Sequence, residues 1–339
     1  MQIAGVIPID SANDNSKSLA AGEEATQRVL GDASFKAFCD AFRQREQLFT
    51  LINQINQLIK VVQKHRGISM GLIGGDVSFQ PDFDQLQMQL AKRLATLEYF
   101  AESTGGLLSE KDKGNLHLAW ATIRQNWQDD NVSDNFELHS HFIDQLRHML
   151  ASLARQLEQP LAPELVDISS QQSDAGIAHP KMFKQMELLN FVARQLPDMI
   201  EQIAKVRGLS VYAASIGSVD FYNDRKLRYL LTYAREQSYK LRHQAERISG
   251  FLGGDLVSFS ELKNLELKLL YLLNTVDQDV LSGTEISTSS QQFFKLATEI
   301  VDVYWAVVND GLTLLRRWHE DDMELWLKTA PIAEIQRSS

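Results

Sequence analysis

Lys64–Asp76 reads KHRGISMGLIGGD and Lys205–Gly217 reads KVRGLSVYAASIG, so an Arg-Gly-aliphatic-Ser unit occurs twice, 141 positions apart (66 to 207). Each copy closes a long apolar stripe. Counting back from the two arginines, apolar residues coincide at four (Val62, Ile203), seven (Ile59, Ile200), eleven (Ile55, Leu196), fifteen (Leu51, Val192) and eighteen positions (Leu48, Leu189). That spacing marks one face of a helix. Beyond the motif, Leu86 and Leu90 answer Leu227 and Leu231. The echo predicts a tandem of two related halves, and because each arginine continues its apolar column, both should point inward.

Composition sets the class. With 339 residues, 44% of them hydrophobic, the chain can build a substantial core. A formal net charge of −10 argues against a surface made for nucleic acid or anionic lipid, so any bound anion must be held locally. The single cysteine, Cys39, excludes an internal disulfide and any all-cysteine metal site. No window approaches the run of about 18 to 20 apolar residues that a membrane span needs, and the opening MQIAGVIPIDSANDNSKS lacks a basic leader. A soluble, cytoplasmic protein is expected. Seven prolines and 18 glycines are sparse punctuation, which points to long helices and an all-α fold.

Read in order, residues 1–33 carry no sustained period and are expected to form a mobile N-terminal arm or a weak first helix. Residues 34–159 form a first four-helix half, with helices over about 34–73, from Asp82 to the Gly105-Gly106 pair, over Glu110–Trp127 and over Asn135–Gln159. A connector, 160–180, contains LAPELVDISSQQSDAGIAHP. The second half, 181–328, repeats the plan with helices near 181–215, 221–249, 258–281 and 288–327, a kink at Pro197 and a weak point at Asp310-Gly311. Residues 329–339 are a tail.

A guanidinium stays charged at physiological pH, so Arg66 and Arg207 on a dry face each need a carboxylate or a bound anion; an unpaired buried charge costs roughly 3–5 kcal/mol. Gly67 and Gly208 each remove a side chain beside the charge, and Ser69 and Ser210 follow at i+3 on the same face, completing a small anion-binding fork. Two solutions remain open. Either arginine can pair with a carboxylate such as Glu98, Glu102, Glu187, Glu201 or Glu246, or the two can converge on one oxyanion that bridges them. In the second case removing an arginine leaves the empty protein folded. In the first it does not.

Catalytic patterns are poor. His65 directly precedes Arg66-Gly67, the wrong spacing for a phosphotransfer histidine, and His139 and His141 lie two apart, so they cannot share a helix face. GLIGGD and FLGGDL lack the Lys-Ser/Thr of a phosphate loop and read as caps or turns. No enzyme activity, cofactor or metal is expected.

The arrangement resembles the nitrate- and nitrite-sensing (NIT) domain family over about 35–327, through QKHRGISMGLIGGD (63–76) and VSDNFELHSHFIDQLRHMLASLA (132–154). The resemblance implies an all-helical bacterial sensor of two four-helix bundles, with nitrate or nitrite held by arginines at the interface between them. Arg66 matches the first-motif arginine, and Arg207 is its counterpart. The family's glutamate before that arginine is His65 here and Val206 in the repeat. Such sensors are usually fused to an output module, whereas here only TAPIAEIQRSS follows Lys328, so the expected form is stand-alone. It signals in trans to a separate regulatory protein, without binding nucleic acid itself and with a homodimer allowed. The expected partner surface is the acidic, aromatic end HEDDMELW (319–326) with Trp318 and Trp326, where Arg316 and Glu320 are also spaced to pair. The alternative is a helical scaffold or adaptor with no small ligand.

Overall fold

The computed structural model describes residues 12–159, 181–252, 258–283 and 285–329. Among these residues the fold is all-helical, with eight helices and no strand. They are α1 (Ala12–Ile73), α2 (Gln80–Ser103), α3 (Glu110–Arg124), α4 (Val132–Leu157), α5, α6 (Phe221–Leu252), α7 (Ser258–Thr275) and α8 (Ser290–Thr329). Helix α5 is a single rod made of Lys181–Asn190, a π turn at Phe191–Gln195, and Leu196–Ile216. A second π turn, Val276–Val280, extends α7.

Local chemistry sets the boundaries. Helix α1 stops where Gly75 takes φ +92°, a left-handed conformation that a side chain resists, and the Asp76 carboxylate then accepts the Ser78 amide at 3.1 Å. Ser109 caps α3 by accepting the Asp112 amide at 3.1 Å, and Asn131 caps α4 by accepting that of Asp134 at 2.9 Å. At its other end α1 begins at Ala12, not near Ser34. Residues 12–33 thus continue the helix. The stretch SLAAGEEATQRVL is rich in good helix formers and contains no proline, and extending an existing helix avoids the cost of nucleation. Residues 1–11, the connector 160–180 and the tail from 330 lie outside the described residues.

Helix α1 packs on α2 and α4, and α3 packs on both of these; α5 packs on α6 and α8, and α7 on α6 and α8. The two groups meet chiefly where α1 lies against α5. These two helices run in the same direction, because their contacts advance together from Arg66–Glu201 through Gly71–Val211 to Gly74–Ser215. Close approach there depends on small residues. A Cβ at Gly71 would lie 2.6 Å from the Phe79 ring and 3.1 Å from Val211, and one at Gly74 would lie 2.6 Å from Ser215. One continuous hydrophobic core spans both groups. Ile55, Leu58, Ile59, Leu196, Ile200 and Ile203 are wholly buried in it, each contributing about 1.5–3 kcal/mol.

Pro197, which lacks an N–H to donate, follows the π turn Phe191–Gln195, so the irregularity expected at the proline has a second source one turn earlier. Gly311 does not weaken α8, which is continuous. Instead it lets that helix close on the π turn, where an added Cβ would lie 2.5 Å from Val192. The terminal aromatic surface is engaged within the chain, since Trp326 stacks on Phe38 with centroids 4.1 Å apart, beside Phe42 and Met323. Asp322 pairs with Lys181 at 2.5 Å, and Arg316 pairs with Glu46 and lies 3.7 Å from Glu320. Among the described residues no helix is long and apolar enough to cross a membrane.

Candidate functional site at the seam of two parallel helices

The phase of the apolar stripe brings Arg66, on α1, into the seam with no exposed surface. Its Nη1 donates to Glu201 Oε1 at 2.7 Å and its Nη2 to Oε2 at 3.2 Å, so that α5 supplies a two-pronged carboxylate. Nη1 also donates to Ser140 Oγ on α4 at 2.9 Å, and the guanidinium carbon lies 5.3 Å from the centroid of the Phe136 ring. Gln63 Nε2 donates to Glu201 Oε2 at 2.9 Å, and Lys205 Nζ stands 3.7 Å from Oε1. Burial pushes the Glu201 carboxyl up, but the Arg66 charge and hydrogen bonds, with Lys205 and Gln63, outweigh it and hold the group below its ordinary value. It is an ionised, wholly buried carboxylate.

Arg207, on α5, is 1% exposed. Its Nη1 donates to Thr298 Oγ1 at 3.0 Å and its Nη2 to the Gln63 carbonyl at 2.6 Å, with the guanidinium 5.1 Å from the Phe294 centroid. Among the described residues no carboxylate oxygen lies within 4 Å of it. Burial, reinforced by repulsion from Arg66, pulls its pKa down to about 10. It is still a cation at neutral pH. The Nε groups of both arginines and the Ser210 hydroxyl are buried without a hydrogen-bond partner.

The structure therefore brings Arg66 and Arg207 into one buried cluster and separates their circumstances. Gly67 belongs to that cluster, because a Cβ there would lie 3.2 Å from Arg207 Nε and 3.1 Å from the Phe294 ring. Gly208 lies under Met70, where a Cβ would meet the flexible thioether at 2.8 Å. Ser69 turns toward α4, within 2.8 Å of Asn135 Oδ1 and 3.0 Å of the Arg66 carbonyl, while Ser210 stays buried on α5. Sequence reasoning missed Gln63, and it missed the ring-and-hydroxyl pairs Phe136 with Ser140 and Phe294 with Thr298. A signal existed. Both pairs read Phe-x-x-x-Ser/Thr, one helical turn apart, and both residues repeat at 158 positions (136 to 294, 140 to 298).

A second buried polar chain flanks the site. His65 Nδ1 and His139 Nε2 are 2.7 Å apart, and His139 Nδ1 lies 2.7 Å from the Asn135 carbonyl. A carbonyl only accepts, so His139 carries its proton on Nδ1, its Nε2 accepts, and His65 must donate from Nδ1. Both rings are neutral. Burial pushes both pKa values down, that of His139 to about 3, as it does for His319 beside Phe49.

A histidine whose folded pKa is depressed stabilises the fold fully above its unfolded value near 6.5, and that stability is lost as pH falls toward the folded value near 3. Between pH 7.5 and pH 5, His139 and His319 should each cost about 2 kcal/mol of unfolding free energy. Urea denaturation at the two pH values checks this, and His319→Leu should flatten the dependence. A pH-independent stability would contradict the neutral assignment.

No family model, curated protein or solved structure matches this chain.

Proposed function

We propose that the chain is a non-enzymatic bacterial sensor of a small oxyanion, nitrate or nitrite. In this reading it is built as two related four-helix bundles of the NIT type and acts in the cytoplasm by signalling in trans to a separate regulatory protein. One observation carries the proposal: of the two buried guanidinium groups at the α1–α5 seam, Arg66 is paired with the buried Glu201 carboxylate, whereas Arg207 has no ion-pair partner among the described residues. The cluster is one negative charge short, and a monoanion between the arginines supplies it, with the unpartnered Nε groups as donors. Support for relatedness comes from the matched surroundings of the two arginines, each under a phenylalanine ring and each bonded to the hydroxyl one turn further along.

The Arg66–Glu201 fork favours a second reading, a helical scaffold in which these charges only fix how the helices pack. A thermal-shift panel of nitrate, nitrite, chloride, sulfate and formate separates the two. Nitrate at a hundred times its Kd should add about 2.7 kcal/mol of stability, with sulfate and chloride doing less. Equal shifts for all sodium salts at matched ionic strength would leave the scaffold reading standing.

A further inference from the structure

Resting on that reading, we infer that the Glu201 carboxylate holds the ligand's place on Arg66, that the incoming anion displaces it, and that Lys205 receives it. Arg66, Glu201 and Gln63 have no exposed surface, and the Glu201 carboxylate spans both Nη groups of Arg66, so an anion that takes that fork must displace it. Among the groups bonded to Arg66, only Glu201 is a planar monoanion with two oxygens in a fork, the shape and charge of nitrite or of one edge of nitrate. The ligand class follows: planar monoanions such as nitrate, nitrite or formate reproduce this fork, and tetrahedral sulfate does not. Gln63 is positioned to report the exchange, since its side chain donates to Glu201 while its carbonyl accepts from Arg207.

Glu201 has a second partner already in range. Lys205 lies one turn further along α5 with its ammonium 3.7 Å away, and at 18% side-chain exposure it sits at the rim of the seam, so a carboxylate that leaves Arg66 stays paired and moves toward water. The move breaks the Arg66 and Gln63 bonds from α1 to α5 and replaces them by contacts through the ligand. Occupancy is thereby converted into a change in how the two helices are joined. A ligand shifts such an equilibrium only through different affinity for the two arrangements, and competition with Glu201 creates that difference.

Calorimetric titration of the full chain with sodium nitrate and sodium sulfate, using wild type, Glu201→Gln and Lys205→Met, tests the assignment, with circular dichroism to establish folding. A neutral amide competes poorly for a guanidinium, so Glu201→Gln should tighten nitrate by about tenfold or more. Lys205→Met removes the receiver and should weaken nitrate several-fold. A folded Glu201→Gln protein that binds nitrate no tighter than wild type overturns the inference while leaving the oxyanion reading intact. Should Glu201→Gln not fold, Glu201→Asp, which keeps the charge but draws the fork back by one methylene, must also tighten nitrate, and equal or weaker binding is fatal to the idea. Absence of binding in wild type and in every variant removes the oxyanion reading itself.

Discussion

Arg66→Ala should destabilise the anion-free protein by about 3–5 kcal/mol, while Arg207→Ala changes stability by roughly 1 kcal/mol or less. The two residues look equivalent in sequence, and the sensor reading alone expects either to be dispensable when the site is empty. The structure separates them. Without Arg66, the wholly buried Glu201 keeps only the Gln63 amide and a lysine 3.7 Å away, so an ionised carboxylate is left nearly alone in a dry seam. Without Arg207, no carboxylate is stranded. Two hydrogen bonds, to Thr298 and to the Gln63 carbonyl, are lost, but so is the repulsion between two buried cations. Urea unfolding of both variants in nitrate-free buffer measures the difference. If Arg207→Ala proved the more damaging, the fork would not be what organises the seam.

Replacing both members of the fork, Arg66→Met with Glu201→Leu, should return most of the stability lost in Arg66→Ala and remove any nitrate-dependent stabilisation, about 2.7 kcal/mol at a hundred times Kd. A buried ion pair owes much of its apparent strength to the penalty for breaking it. Apolar side chains of similar volume avoid desolvating two charges and can match or exceed the original stability. Ser140 keeps its bond to the Phe136 carbonyl at 2.7 Å, so losing Arg66 as a donor does not leave that hydroxyl alone. Denaturation with and without nitrate reads both effects in one sample. A double variant that still gained stability from nitrate would show that Arg66 is not where the anion is received.

The contrast between these variants marks where sequence reasoning stops. Long helices were legible because their apolar residues repeat every three or four positions and because Gly75, Gly105 and Gly217 end them in left-handed turns. The start of α1 was not legible. Residues 12–33 are helical without an apolar stripe, so propensity and continuity, not periodicity, carry the helix back to Ala12. The phase of the stripe points both arginines inward, and both are buried. Which carboxylate meets which arginine was beyond reach, because it depends on the register of α1 against α5. Of the five glutamates considered, Glu201 lies six residues before Arg207 in the sequence yet pairs with Arg66 across the seam. Ser69 shows the same limit: a correct i+3 spacing leaves open whether its hydroxyl faces the arginine pair or α4, and it faces α4.

The π turn at Phe191–Gln195 has a consequence for how the rod as a whole is aimed. An α-helix turns about 100° per residue, and a π turn behaves as one residue inserted into an otherwise regular spiral. Everything on the Lys181–Asn190 side is therefore rotated by about 100° relative to Glu201 and Arg207, compared with an uninterrupted helix. That offset lets Leu188 reach Gly311 on α8 while Glu201, further along the same rod, faces α1. The insertion acts as a rotary coupling between two stretches of one helix, setting the angle at which the stretch bearing Glu201 and Arg207 addresses α1 independently of how Lys181–Asn190 is anchored.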